Sequence, residues 1–432
     1  MPRIRWVNHA SFVLMAEDIR LISDPWLFGS AFNNGWDLIS KTKFDVGEFR
    51  DITHIWFSHE HPDHFAPSVL SSIDKATRAN ITVLFQETKD HKVQTFCKSL
   101  GFKFQELRNH QWQTLCPGFR VLCGKVPFYD SWLLVQAGDL KILNMNDCVV
   151  DGEAVASDIA KQTGKVDVLL TQFSYANWIG NPEDKKLREE SAREKLERVK
   201  IQIDSFAPKY TIPFASFVYF SHEENHYMND AINTIDRVHE SLQKSGTTPV
   251  VLYPDQVWEI GSKWDNTAPL EAYRRDYELE AKPLRTTNSV PFDELCQLGT
   301  KYVARMKRKN SKTVMALLGL PPMRYLNSIR FRVTDLNRVV SFDFTNGLRP
   351  VDDQSSDAHV SLSSESLAFL FKFDWGFDTL MVNGRFRASQ QNCQRLGKTF
   401  FVGTLNNTGR YLHPRILFDR VFVTRALRRL VG

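Results

Sequence analysis

Ser58-His59-Glu60-His61-Pro62-Asp63-His64 is the stretch whose reading decides the fold of this chain. It follows a largely apolar run at 52–57, so it sits where a buried strand gives way to a loop. In extended backbone, residues two apart point to the same side, so His59 and His61 face one ion together. Asp63 and His64 are carried onward by a turn or helix start to face a second. A polar loop that happens to be rich in histidine is the plain alternative, with its imidazoles bonded to backbone. Four ligand-type side chains in six positions favour the metal site, because that spacing suits convergent, deprotonated donors.

Working outward, the 432 residues suggest two domains, each able to bury a full core. Hydrophobic content of 42% with 24% charged residues is ordinary for a globular protein. The longest apolar runs fall far short of the roughly 18 residues of a membrane span, so no transmembrane segment is expected. The segment 1–24 carries Arg3, Arg5 and Arg20, but Glu17 and Asp18 interrupt its apolar patch, so no export leader is expected. The six cysteines are dispersed without a C-x-x-C pair, which excludes a zinc ribbon or iron–sulfur site and fits reduced thiols in the cytoplasm. Net charge is +5, and the segment 410–432 alone accounts for it through Arg410, Arg415, Arg420, Arg425, Arg428 and Arg429 against Asp419. The remainder is neutral overall, so a general nucleic-acid role has no electrostatic support.

Strand-like runs occur at 5–15, 19–23, 52–57, 81–85, 119–122, 132–136, 140–144, 166–170, 210–213 and 250–253. Helical patterns lie between them, the clearest at 181–206, with Asn181 as N-cap, Pro182 at the first helical position and Pro208 past the end. This predicts a layered α/β domain over 1–262. A charged helical connector follows at 263–322, with helices at 271–282 and 292–309, and stops at Pro321-Pro322. A small α+β domain is expected over 323–432, with strands at 328–333 and 339–344, a helix at 363–371 and a strand pair around 380–387. Arg415, Arg420 and Arg425 advance roughly 140° per step on a helix, so they share no face, and a solvated terminal helix is expected.

Two carboxylates stand at strand ends. Asp24 closes Leu21-Ile22-Ser23, where Pro25 forbids continuing the ladder, and is placed to orient a metal-ligating imidazole. Asp147 closes the run 142–146 and is the candidate to bridge two ions or complete one.

Together, the 59–64 cluster, Asp24 and Asp147 resemble the metallo-β-lactamase superfamily, which implies an αββα sandwich with a one- or two-metal cleft. The segment Asp24-Pro25-Trp26-Leu27-Phe28-Gly29-Ser30-Ala31-Phe32 with Trp36 resembles the catalytic part of nucleotide-sugar N-acetyl hydroxylases, the CMP-sialic acid hydroxylase group. So do Asp130-Ser131-Trp132-Leu133-Leu134-Val135, Lys141-Ile142-Leu143-Asn144 leading to Asp147-Cys148, and Pro213-Phe214-Ala215. Those hydroxylases carry an N-terminal Rieske domain whose cysteines and histidines have no counterpart here, so an oxygenase reading implies electrons from a separate Rieske or ferredoxin protein.

Many superfamily hydrolases place histidines near Asp130 and near Ser216, and this chain has neither. The nearest replacements are Asp130 for the first and His222 or His226 for the second. A set of His59, His61, Asp130 and Asp147 leans toward carboxylate oxygen, which suits iron(II) at least as well as zinc. The expected ligands are therefore His59, His61, Asp63, His64, Asp130, Asp147 and His222, holding one or two ions of iron or zinc, with Asp24 behind them. His9 is left out, since a lone early histidine is more often structural. Trp26, Phe28, Phe32, Trp36, Tyr129, Tyr175 and Trp178 are candidates for a wall against a sugar or nucleobase.

The leading functional expectation is a metal enzyme acting on the N-acyl group of an amino sugar or nucleotide sugar, with hydroxylation as one version. The rival is metal-assisted hydrolysis of an amide, lactone or phosphodiester, with Asp63 orienting or deprotonating the attacking water. A non-catalytic scaffold with a degenerate site is the third reading.

Overall fold

The computed structural model describes residues 1–126, 130–150, 152–320, 325–352 and 357–415. Tyr129, the Pro321-Pro322 breaker and the arginine-rich segment beyond 415 lie outside the described residues. Two compact units emerge. The first comprises Met1–Ala176, Lys186–Phe220 and Met228–Pro283, and the second comprises Asn177–Lys185, Ser221–Tyr227 and the chain from Leu284 onward. The stretch 263–322 is divided between them, with the helix Thr267–Asp276 in the first unit and the helix Phe292–Lys309 in the second.

Among the described residues, the first unit holds two seven-stranded sheets. In the first sheet, Val257–Glu259, Arg3–Asn8, Ser11–Ala16 and Ile19–Ser23 run antiparallel, and His54–Trp56, Thr82–Gln86 and Lys103–Leu107 then add in parallel. The second sheet repeats that plan. Trp112–Cys116, Phe119–Lys125, Ser131–Ala137 and Leu140–Asn146 form the antiparallel half, and Val168–Gln172, Tyr210–Phe214 and Thr248–Pro249 the parallel half. One apolar cluster joins Trp6, Phe12, Leu14 and Trp56 of the first sheet to Leu133, Leu143, Leu169 and Phe214 of the second. The Phe214 ring meets both Trp6 and Phe12 edge-on at 5.6 Å. Each such side chain stabilises the fold by roughly 1.5–3 kcal/mol on burial. The fold is therefore the two-sheet α/β sandwich that the strand pattern and the resemblance implied.

Helices lie against the sheets through faces set by the 3.6-residue period. Lys185–Phe206 buries Ala192, Val199, Ile203 and Phe206, and Lys92–Ser99 buries Val93 and Cys97. The long helix starts at Lys185 rather than 181, because the Asp184 carboxylate accepts the Asn181 N–H at 2.8 Å in a turn before it. The run at 5–15 is a tight hairpin around His9 and Ala10. The expected strand at 250–253 ends early, at Thr248–Pro249, because the side chain of Asn266 takes the Val251 N–H at 2.8 Å.

The second unit is α+β, as expected for the C-terminal part. Its sheet runs Gly347–Pro350, Arg338–Asp343, Ile329–Val333, Val360–Leu362, and Phe331, Phe342, Phe371 and Phe400 fill its core. The strand pair expected around 380–387 is a correction: Gly376–Asn383 is a helix that buries Gly376, Thr379, Leu380 and Asn383, and Gly384 closes it in the left-handed conformation. A second helix, Gln390–Asn407, had no counterpart in the sequence reading.

Candidate metal centre

Every element bearing on the 59–64 cluster delivers its residue at the same end of the sandwich. Asp24 follows the strand Ile19–Ser23, Ser58 to His64 follow His54–Trp56, and Asp147 follows Leu140–Asn146. Asp130 immediately precedes Ser131–Ala137, the antiparallel neighbour of Leu140–Asn146, so it arrives at that end as well. Carboxyl ends of parallel strands are where such sheets leave a crevice. Asp24 (φ 36°) and Asn146 (φ 47°) both adopt the left-handed conformation, which turns the chain sharply out of its strand. Asp and Asn tolerate that conformation better than other residues with a Cβ.

Asp24 is fully buried and organises the floor of the site. Its Oδ1 accepts the Ser58 N–H at 2.8 Å, and its Oδ2 accepts the Ser58 hydroxyl at 2.8 Å, His64 Nδ1 at 3.1 Å and the Asn146 amide. Since the Ser58 hydroxyl proton goes to Asp24, its oxygen is left to accept from His59 Nδ1, 2.9 Å away. Both imidazoles therefore carry a proton on Nδ1 and turn Nε2 to the cleft, free to ligate once any proton on it is displaced. A carboxylate behind a ligating imidazole fixes tautomer and ring orientation in this way.

On the cleft side, His59 Nε2 and His61 Nδ1 are 2.9 Å apart. His64 Nε2 lies 3.2 Å from Asp63 Oδ2 and 3.3 Å from Asp147 Oδ2. Asp130 Oδ1 lies 3.8 Å from His59 Nδ1. The ligand atoms of His59, His64 and Asp147 fall within 4.8 Å of one another, as do those of His9, Asp63 and His64. Donors held around an ion at about 2.0–2.2 Å stand roughly 3 Å apart, so these separations fit one or two ions. Asp63 Oδ1, Asp147 Oδ1 and His64 Nε2 are buried without a hydrogen-bond partner, and a cation would satisfy all three.

The electrostatics agree. Burial, reinforced by the neighbouring His64, holds His59 well below the usual imidazole range, and burial also lowers His61, so both are neutral as ligands must be. Burial also opposes charge on His64, but Asp63 and Asp147 outweigh it and raise its pKa well above the usual value, so without an ion its Nε2 holds a proton between those carboxylates, and a bound cation would take that proton's place. Burial, and then Asp147, push Asp130 well above the ordinary carboxylate range. A protein that sets one buried and two partly buried carboxylates beside imidazoles has built a place for added positive charge.

His59, His61, Asp63, His64, Asp130 and Asp147 are thus brought together, with Asp24 behind them. The remaining expected ligand is His222. It belongs to the second unit, where it lies 3.5 Å from Glu224 and 4.0 Å from Glu365, both of which bond the buried Arg385. His226 falls in the same unit. Ser216, where a hydrolase histidine would stand, accepts the Phe173 and Ser174 N–H groups at 3.0 Å. His9, set aside in the sequence reading, comes into the site, with Nε2 3.3 Å from Asp63 Oδ2. Its signal was its place in the hairpin turn directly after a strand. Of the aromatic candidates, Phe32 packs edge-on against His61 at 5.5 Å and Trp36 against Phe32 at 4.7 Å, whereas Trp178 lies in the second unit.

Comparison with known proteins agrees with this architecture. Residues 3–190 match the beta-lactamase superfamily domain. A putative Rieske 2Fe-2S iron-sulfur protein of Mycobacterium tuberculosis is 24% identical over 269 residues, 58% of this chain and 48% of the relative. The cytidine monophosphate-N-acetylneuraminic acid hydroxylase of Danio rerio is 25% identical over 264 residues, 56% of this chain and 43% of the relative. The chain thus spans about half the length of the curated relatives it matches. Among solved structures, CmlA, a diiron β-hydroxylase from Streptomyces venezuelae, aligns with TM-score 0.41 and 14% identity over 60% of this chain and 54% of its own. Residues 3–190 are therefore similar to the beta-lactamase superfamily domain, which agrees with the two-sheet fold.

Proposed function

We propose that the chain is a metal-dependent enzyme that hydroxylates the N-acyl group of an amino sugar or nucleotide sugar, using electrons from a Rieske or ferredoxin protein. The observation that carries this reading is Asp130. A carboxylate stands 3.8 Å from His59 Nδ1 where hydrolases of the superfamily use imidazole, so that the candidate donors would be three imidazoles (His59, His61, His64) and three carboxylates (Asp63, Asp130, Asp147). Mixed imidazole–carboxylate sets of this kind suit iron at least as well as zinc. Bound there, iron would supply one-electron and dioxygen chemistry, whereas zinc would supply a water acidified toward a pKa of about 7.

The chain's own residues do the positioning. Asp24, directly and through Ser58, holds a proton on Nδ1 of His59 and His64 and so aims their Nε2 into the cleft. Phe32 and Trp36 beside His61 supply an apolar wall that a sugar face could stack on and that keeps water out. The same convergence supports a working centre over a degenerate scaffold. Rieske-named relatives and a CMP-N-acetylneuraminic acid hydroxylase among the matches support the electron donor and the substrate class.

Hydrolysis of an amide, lactone or phosphodiester is the second reading, favoured by Asp63, whose unpartnered Oδ1 is placed to orient a water. The test is reconstitution with iron(II) under anaerobic conditions, then reduction and exposure to ¹⁸O-labelled dioxygen with N-acetylated amino sugars and their nucleotide derivatives. Label appearing in a product 18 mass units heavier supports hydroxylation. Full activity with zinc and label entering only from water would overturn it in favour of hydrolysis.

A further inference from the structure

We propose that His9 is a positioning residue of this centre, an N–H donor that holds Asp63 in its ligating orientation, and that it is not itself a ligand. The inference rests on the metal-centre reading above and adds a role the 59–64 motif does not contain. His9 is buried at 1% exposure. Its Nδ1 accepts the Phe217 backbone N–H at 3.2 Å. A backbone N–H only donates, so Nδ1 carries the lone pair and the proton of the neutral ring sits on Nε2. That proton faces Asp63 Oδ2 at 3.3 Å. A protonated nitrogen has no lone pair for an ion, so the ring spends Nε2 on the carboxylate. Asp63 is left with Oδ1, buried and unpartnered, for the cleft.

The turn at 215–217 is shaped to enforce this tautomer. Ala215 adopts φ 47°, a left-handed conformation unfavourable for a residue with a Cβ, and its N–H bonds the His9 carbonyl at 2.8 Å. Two residues on, Phe217 delivers its N–H to the ring, so the turn grips His9 by backbone and side chain together. Strain of this kind costs about 1 kcal/mol or more and persists only where its surroundings over-determine it. The segment that could have supplied a ligand histidine at Ser216 thus supplies a backbone donor to His9 instead. Asp24 and His9 then divide the work: the first directs the imidazoles, the second directs Asp63.

The competing possibility is a ligating His9, since its ring nitrogen, Asp63 and His64 come within 4.8 Å of one another. The two differ at one atom, Nε2. Long-range ¹H–¹⁵N spectra of the metal-free protein should show His9 as the Nε2–H tautomer, and the same tautomer should persist after zinc loading. In chelator competition, His9→Ala should keep the wild-type zinc stoichiometry while its affinity falls about 10- to 100-fold, the effect of losing a partner behind a ligand. His9→Gln, which can return an amide N–H toward Asp63, should recover most of that loss, and it carries the comparison if the alanine variant fails to fold. Loss of Nε2–H on zinc loading, or loss of one zinc equivalent in His9→Ala, would overturn the proposal in favour of ligation. Affinity within twofold of wild type in His9→Ala would overturn it by making His9 a bystander. A wild-type protein that takes up no metal would instead overturn the metal-centre reading, while the metal-free spectra still decide whether His9 is the donor.

Discussion

Asp24→Asn isolates what a single carboxylate contributes to this centre, because it keeps the shape of the side chain and removes one acceptor. Four donors converge on Asp24 in the folded protein: the Ser58 N–H, the Ser58 hydroxyl, His64 Nδ1 and the Asn146 amide. Three of them share Oδ2. If the new amide nitrogen takes that place, donors face a donor, the Ser58 hydroxyl loses its acceptor, and His64 is driven to give up its Nδ1 proton. If it takes the other place, the Ser58 N–H is left facing it in a fully buried site. A buried donor without a partner costs about 1–3 kcal/mol, so the metal-free variant should lose about 2–4 kcal/mol in urea denaturation once relaxation is allowed for. Metal affinity should fall about 10- to 100-fold or more, since both His59 and His64 lose the group that sets their tautomer. Chelator competition reads the second quantity, and ¹⁵N spectra read the His64 tautomer directly. Affinity within twofold of wild type, with His64 still protonated at Nδ1, would refute the argument that Asp24 directs these ligands.

Other outcomes follow from the same geometry. His61→Ala, at a partly buried position beside His59, should abolish at least one equivalent of bound metal while shifting unfolding by less than about 1 kcal/mol; metal analysis and denaturation report the two quantities. Asp130→His should move the bound iron-to-zinc ratio toward zinc when apoprotein is offered equal amounts of both without oxygen, and an unchanged ratio would mean that this carboxylate does not tune the metal. Burial, aided by the nearby Arg385, pushes His222 down to about 4. In the unfolded chain this histidine takes up its proton near pH 6.5, whereas the folded one resists until about 4, so stability is lost as pH falls through that window. His222→Gln should flatten this part of the pH dependence, and an NMR titration midpoint near 6.5 in the native protein would contradict the assignment.

How much of this was legible beforehand follows from how local each determinant is. The spacing of His59, His61, Asp63 and His64 declared a metal site because ligands two and three apart are brought together by the local backbone alone. Asp24 and Asp147 were readable because an acidic residue closing an apolar strand has few other uses, and Asp130 because it opens a strand in a segment resembling a known family. The strand Leu140–Asn146 and the helix Phe292–Lys309 were legible from their own periodicity. The helix Gly376–Asn383 was not, because a run containing Leu380, Met381 and Val382 reads as strand until packing shows which positions are buried. The surroundings of His222 were not legible for the same kind of reason, since its place beside Arg385 and two glutamates is set by partners far along the chain.

The sequence by itself determined the candidate donors, the ends of the strands that carry them and the sandwich that strands of this pattern build. Tertiary structure decided which nitrogen of each imidazole faces the cleft, because that depends on what stands behind the ring: Ser58 and Asp24 behind His59 and His64, and the Phe217 N–H from a turn 208 residues away behind His9. A hydrogen bond between residues so distant leaves no trace in local composition or periodicity, because it exists only once two sheets have packed and brought their strand ends together.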